Sequence, residues 1–181
     1  MIRKTLLVSL LGGILIGSAT MLTFADSSWL KGTTDKKLDT LADIQPGLGT
    51  VMIEYSTRVG NMYYAAKAKN WGMAAYQLKE AVEIQEVGET TRPNRAGLLK
   101  WFENKGLKPL AQDIMNQDFP ALQKDFSAMV ASCNECHKAT DHDFIAYELP
   151  THPLTQAKLE TNLTFRKEQL EKILGDLVES K

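Results

Sequence analysis

The sequence contains little cysteine, no block of basic residues and no stretch that alternates apolar and polar side chains. Its only two cysteines stand close together, so the disulfide framework of small secreted domains is excluded. The 21 Lys and Arg nearly balance the 22 Asp and Glu and do not cluster, which argues against a nucleic-acid-binding surface. The missing alternation predicts a chain without β-strands. No nucleophile and base stand in a catalytic pattern, so we predict that the protein is not an enzyme.

The N-terminus has the features of an export signal. Arg3 and Lys4 precede a run of apolar and small residues over 6–22, and the stretch ends in Ala25. This pattern predicts a signal peptide over residues 1–25 that is cleaved after Ala25. The alternative is an uncleaved membrane anchor, since the run is close to the shortest that can span a bilayer. We therefore expect a periplasmic protein, associated with the membrane only if this segment is retained.

Both cysteines belong to the motif Cys133-Asn134-Glu135-Cys136-His137. C-x-x-C-H is the attachment signature of c-type haem, in which each thiol forms a thioether with a haem vinyl group and the imidazole binds the iron. On a helix these three positions lie on one side, so they can meet one porphyrin. The motif predicts one covalently attached haem c, held by Cys133 and Cys136, with His137 as an axial iron ligand. The export signal agrees, because this attachment takes place outside the bacterial cytoplasm.

Three other interpretations of the cysteine pair are open. A redox dithiol would be expected near a βαβ pattern, and the sequence has none. A zinc site would need further ligands, but there is no second C-x-x-C and no H-x(3–5)-H pair beside His137, His142 and His152. A disulfide between residues this close would close almost no loop and would stabilise the fold little.

Apolar residues that recur every three or four positions predict an all-α fold. The first two helices are expected over 46–70 and 71–88, with Asn70 as the N-cap of the second. A third helix begins near Arg95 and is broken by Gly106 and Pro109. The fourth helix is expected to begin after Asp118 and to carry the haem motif near its C-terminal end. We therefore predict a four-helix bundle, in which short loops make successive helices antiparallel.

The helical pattern divides the exported chain into three parts. Residues 26–45 are predicted to form a polar surface leader, and residues 46–140 the four-helix haem-binding domain. Residues 141–181 begin with a proline-containing wrapping segment and end in an amphipathic helix from Leu159 or Leu163. We expect this helix to pack onto the bundle as a fifth helix, because its polar face carries both signs of charge, unlike that of a membrane-binding helix.

The order of helices, with C-x-x-C-H late in the fourth, resembles the class II c-type cytochromes, a four-helix-bundle group that includes cytochrome c prime. The resemblance covers Pro46 to Lys138, and the stretch from Asn70 to Leu78 is most similar to uncharacterised bacterial relatives. It implies a periplasmic monohaem cytochrome that exchanges single electrons with redox partner proteins and that can form a homodimer. The chain departs from the class II pattern in one respect, because 44 residues follow His137.

The iron position opposite His137 decides between two functions, because a filled position excludes ligands and a vacant one admits them. The N-terminal part of the first helix should lie beside the end of the fourth, which makes Met52 the candidate sixth ligand. The resemblance implies a methionine at a similar place. The alternatives are His152 and an open site guarded by Tyr55, in a five-coordinate protein that binds nitric oxide or carbon monoxide. Three arginines are candidate partners of the haem propionates, with surface charge as the alternative: Arg58, Arg92 and Arg95.

Overall fold

The computed structural model describes residues 29–178, and all regular secondary structure within this range is helical, with seven α-helices and no β-strand. The all-α prediction is thus confirmed for this part of the chain. The helices are α1 (Thr34–Asp43), α2 (Leu48–Lys67), α3 (Trp71–Thr91), α4 (Pro93–Phe102), α5 (Lys108–Asn116), α6 (Phe119–Ala139) and α7 (Lys167–Leu174). A π-helical turn, Glu103–Leu107, joins α4 to α5, and a 3-10 turn, Gly175–Leu177, follows α7. The predicted signal peptide lies outside the described residues.

The chain divides after Asp43 into two compact units, of which the first contains α1 and the second contains α2 to α7. None of the helices described between residues 29 and 178 has both the length and the apolar character that a membrane crossing requires.

The polar leader predicted over 26–45 contains a helix, α1, that the sequence pattern did not indicate. Thr33 helps to begin it, because its side-chain oxygen accepts a hydrogen bond from the Lys36 backbone N–H at 3.4 Å. Asp35 adds a negative charge to the first turn, where the helix dipole favours it. No residue of α1 is buried, and its apolar residues, Leu38, Leu41 and Ala42, span only one turn, which is too short a repeat to indicate a helix from the sequence.

Two predicted N-caps are confirmed by their hydrogen bonds. The Asn70 side chain accepts a bond from Met73 N–H at 3.1 Å, and α3 begins at the next residue. Asp118 accepts a bond from Ala121 N–H at 3.0 Å at the start of α6. Each bond satisfies one of the backbone donors that the first turn of a helix leaves without a partner. These caps place the first residues of α3 and α6 where the sequence predicted them.

The predicted break in the third helix is a π-helical turn instead of an interruption. The backbone stays helical through Glu103–Leu107, and Pro109 lies in the first turn of α5, where its missing N–H breaks no hydrogen bond. Gly106 is buried at this turn, and a Cβ atom there would lie 3.3 Å from Cγ of Met129 on α6. The glycine therefore allows the close approach of α6, which the sequence pattern could not distinguish from a helix end.

The chain after α6 is extended for longer than predicted. The C-terminal helix begins at Lys167, so the start at Leu159 or Leu163 is wrong, and Leu163 is 65% exposed. One reason is that Gln117 donates a hydrogen bond to the Phe165 carbonyl at 2.6 Å, which holds the preceding backbone extended against the α5–α6 turn. The helix itself packs against α3 and α5, as predicted. Its buried side chains are Leu170, Leu174 and, in the 3-10 turn, Leu177.

Candidate functional site

A cavity of about 500 Å³ lies between the first half of α2, the second half of α3, α4 and the last turns of α6. The chain after α6 closes a further side with His142 and residues 145–147. Most of the lining side chains are apolar, and the volume is in the range of cofactor and small-molecule sites, about 300–1,000 Å³. The cavity is thus large enough, and apolar enough, to hold an organic cofactor.

The three chemical groups of the haem motif all line this cavity. Cys133, Cys136 and His137 lie on one side of α6, and each is half-buried. Their spacing of three and four residues brings them together because one turn of an α-helix takes 3.6 residues. The structure therefore presents two thiols and an imidazole to one apolar space, which is the arrangement that attachment of a porphyrin requires.

The imidazole of His137 has a defined hydrogen-bond partner. Nδ1 of His137 lies 2.7 Å from the Ile145 carbonyl oxygen, and a carbonyl only accepts, so Nδ1 carries the proton. In the neutral ring this leaves the lone pair on Nε2, the atom available to bind a metal. Ile145 reaches the imidazole because the chain reverses after α6, with Asp141 at φ 60° and the His142 N–H donating to the His137 carbonyl at 2.8 Å.

The environment of the two cysteines opposes formation of reactive thiolates. Burial, and after it the neighbouring Cys136, raise the pKa of the Cys133 thiol to about 12. Burial also raises the pKa of Cys136, an effect that the positive charge of Arg95 opposes. Redox-active dithiols need a thiol whose pKa is lowered toward neutral pH. The raised pKa of both thiols therefore suits cysteines that are covalently modified better than it suits a redox dithiol.

Met52 lines the same cavity from α2, where its side chain is half-buried. It is the one methionine in the described part of the chain that does so. The other four are Met62, Met73, Met115 and Met129, of which three lie in the core and Met73 is half-buried. The first half of α2 and the end of α6 thus meet at one space. That Met52 binds an iron opposite His137 stays a prediction.

Two buried polar atoms at the cavity have no hydrogen-bond partner among residues 29–178. They are the Tyr55 hydroxyl and Oε1 of Gln85, whose residues are 4% and 0% exposed. Burial and, as the second cause, the neighbouring Cys133 raise the pKa of Tyr55, so the phenol remains a protonated donor. A buried polar group without a partner costs about 1–3 kcal/mol. Both atoms therefore favour a cavity whose occupant supplies polar groups as well as an apolar body.

The structure separates the three candidate arginines. Arg95 lines the cavity, and its guanidinium makes no ion pair within the described part of the chain. Arg58 instead pairs with Glu54 at 2.9 Å and Glu80 at 3.6 Å, away from the cavity. Arg92 donates to the Thr91 carbonyl at 2.6 Å. Of the three, Arg95 is therefore the residue placed to meet a carboxylate of an occupant.

The remaining histidines differ in position. His142 lines the cavity, on the chain that returns along α6, whereas His152 is exposed and does not belong to the lining. No group of three or more His, Cys, Asp or Glu side chains that could hold a metal ion occurs between residues 29 and 178.

Comparison with protein-family models, with curated proteins and with solved structures found no match for this chain.

Proposed function

We propose that this chain is a periplasmic monohaem c-type cytochrome that carries single electrons. The observation that supports it is the cavity of about 500 Å³ whose wall contains Cys133, Cys136 and His137. The thiols and the imidazole are on one side, and apolar side chains form most of the rest. The residues present fit a haem: two thiols for its vinyl groups, an imidazole for its iron and Arg95 for a propionate.

When bound, haem supplies an iron that gains or loses one electron. The protein's part is to hold this iron and to set its potential through ligands, hydrogen bonds and dielectric. His137 would bind through Nε2 while the Ile145 carbonyl fixes its ring. Attachment adds each cysteine sulfur to one vinyl carbon and the thiol hydrogen to the other. The apolar side chains of the cavity would exclude water from around a bound haem and so help to set its potential.

A four-helix bundle of α2, α3, the α4–α5 pair and α6 is the arrangement we infer around this haem. This inference is supported by the helix ends that lie next to each other in the structure. Gly88, near the end of α3, faces Leu48 and Val51 at the start of α2, so these two helices run antiparallel. The start of α2 in turn shares the cavity with the end of α6. In such a bundle Met52 would be placed to hold the iron together with His137.

The mass and spectrum of the exported protein test the proposal. We expect the purified polypeptide to be heavier than its sequence by one haem, and the colour to stay with the protein after extraction with acid and acetone. The matched control is the Cys133→Ala, Cys136→Ala double variant, which should lose the covalent haem. An exported wild-type protein without added mass would rule out the proposed function.

The sixth ligand is tested with carbon monoxide. If Met52 binds the iron, the ferrous wild-type protein resists the gas, whereas Met52→Ala opens the site and binds it rapidly. Met73→Ala is the control, since Met73 is also half-buried on a helix but does not line the cavity. Optical titration of the reduced proteins measures the difference. Equal carbon monoxide binding by the wild type and Met52→Ala would exclude Met52 as the ligand.

A five-coordinate haem protein that binds nitric oxide or carbon monoxide is the second candidate. The buried Tyr55 hydroxyl favours it, because a protonated donor without a partner in the described chain is suited to hydrogen-bond a ligand on the iron. In this case the ferrous wild-type protein itself binds carbon monoxide, and the same titration separates the two functions.

A further inference from the structure

Asn134, the first of the two residues between the motif cysteines, joins α6 to the chain that returns along it. Its Oδ1 accepts a hydrogen bond from Tyr147 N–H at 2.7 Å, and its Nδ2 donates to the Tyr147 carbonyl at 3.1 Å. Both ends of one amide therefore bind the backbone of one residue, 13 positions further along the chain. The C-x-x-C-H motif does not specify the residue at this position, so these two hydrogen bonds are a feature of this chain that the motif does not require.

The returning chain is fixed to α6 at both of its ends. It begins with the His142 N–H bonded to the His137 carbonyl at 2.8 Å and ends at the Asn134–Tyr147 pair. The Ile145 carbonyl, which accepts from Nδ1 of His137, lies between these two points and only two residues before Tyr147. The Ile145 N–H also donates to the His142 carbonyl at 2.9 Å, so this carbonyl lies between a bond within the returning chain and the Asn134–Tyr147 pair.

We propose that Asn134 is a positioning residue for the proximal imidazole, acting through the backbone of Tyr147 and the Ile145 carbonyl. The inference rests on the proposed function, because it concerns the ligand strength of His137. A hydrogen bond from Nδ1–H to a fixed carbonyl orients the ring and makes Nε2 a stronger donor. A stronger donor stabilises ferric over ferrous iron, so the intact pair holds the reduction potential down.

The substitution Asn134→Ala removes both hydrogen bonds and tests this role. We expect the reduction potential to rise, because the imidazole loses its fixed acceptor. In the reduced protein, the Nδ1 proton of His137 should exchange with water faster than in the wild type. Glu135→Asp is the control at the neighbouring motif position: it keeps the charge, and Glu135 contacts Lys105 at 3.4 Å instead of the returning chain. This variant should keep the wild-type potential and proton exchange.

Amide exchange in the wild-type protein gives a second test that needs no variant. Tyr147 N–H should exchange more slowly than the N–H groups of Ala146 and Glu148, for which the described structure contains no hydrogen bond. If the Asn134→Ala variant does not acquire covalent haem, the inference is tested by this amide-exchange comparison alone. Equal exchange of the three amides, or an Asn134→Ala protein with covalent haem and the wild-type potential, would overturn the inference. A wild-type protein without covalent haem would instead refute the proposed function.

Discussion

At the scale of single residues, this fold departs from ordinary packing where a buried polar atom has no hydrogen-bond partner. Within the described chain, three side chains contain such atoms: Tyr55, Gln85 and Asp113. The first two line the cavity, so an occupant explains them. Asp113 lies on α5 outside the cavity lining, is 8% exposed, and no occupant is available to it. Burial of this carboxyl therefore lowers the free energy of unfolding, by an amount that depends on pH.

Asp113 should make the folded protein less stable as the pH rises through about 6. Burial first, and then the negative charges of Asp125 and Asp118, raise the pKa of this carboxyl from an ordinary 3.8 to about 6. A raised pKa favours the neutral form in the folded state, so its benefit is present in acid and is lost when the carboxyl ionises. Asp113→Asn should therefore increase the free energy of unfolding by about 2 kcal/mol at pH 7.5 and have little effect at pH 4.

Urea denaturation of the haem-loaded protein at the two pH values measures this difference. The control is Asp176→Asn, which removes one exposed carboxylate near the C-terminus and accounts for the general effect of losing a negative charge. An Asp113→Asn variant that is no more stable than the wild type at pH 7.5 would contradict the raised pKa.

The site residues predicted from the sequence follow either from local spacing or, for Met52, from the expected packing of the first and fourth helices. Cys133, Cys136 and His137 are recognisable because three- and four-residue steps share one helix face. The Ile145 carbonyl and the amide of Asn134 could not be predicted, since their roles arise from a chain reversal in an irregular segment. The apolar period of α3 puts Gln85 on the inner face of that helix, but no local pattern reveals that this face opens on a cavity.

At the scale of the helices, two glycines with opposite surroundings test how the C-terminal segment is held. Gly72 is buried in the first turn of α3, and a Cβ atom there would overlap Cε1 of the Phe165 ring. Gly97, inside α4, is exposed and has no atom within 4 Å of a Cβ position. The first glycine therefore allows a close contact, whereas the second only weakens its helix.

Alanine at these two positions should change stability in opposite directions. Gly72→Ala should lower the free energy of unfolding by about 1–3 kcal/mol, because Phe165 must move and α7 follows it directly. Gly97→Ala should raise it by about 0.5–1 kcal/mol, since alanine restricts the unfolded chain. Urea denaturation compares the two, and Phe165→Ala should remove most of the additional cost of Gly72→Ala. A Gly72→Ala protein as stable as the wild type would show that Phe165 does not hold the segment.

The helices were predictable where caps and apolar periods coincide, and not elsewhere. The N-cap residues Asn70 and Asp118 predicted the starts of two helices. The apolar periods of α2, α3 and α6 predicted which face of each helix is buried. Helix α1 was not predicted because its few apolar residues span only one turn. The extended chain up to Arg166 escaped because it is held by contacts with distant residues, such as Gln117, and not by its own sequence.

At the scale of the whole molecule, the chain beyond α6 completes the site. Residues 145–147 and His142 form one side of the cavity, and Tyr64 donates from α2 to the Pro150 carbonyl at 2.6 Å. Asn61 of α2 likewise accepts from the Leu154 N–H at 2.8 Å. The segment therefore ties α2 to α6 across the cavity, so its folding and the filling of the cavity should depend on each other.

This coupling predicts that the haem-free protein is markedly less stable than the loaded one. An empty apolar cavity costs stability in proportion to its volume, and part of about 500 Å³ must collapse or fill with water. We expect the Cys133→Ala, Cys136→Ala variant to lose at least about 2 kcal/mol of unfolding free energy relative to the loaded wild type. Amide exchange should accelerate most in residues 142–154, because the wall of the cavity and its ties to α2 lose their support.

A second haem-free form separates the effect of haem from that of the substitutions. The wild-type chain from Asp26, expressed in the cytoplasm, keeps both thiols but should not acquire haem. Its free energy of unfolding should match that of the double variant within about 1 kcal/mol, the size of an ordinary single substitution. If both haem-free forms are as stable as the loaded protein, the cavity needs no occupant. The returning segment would then be held by its hydrogen bonds alone.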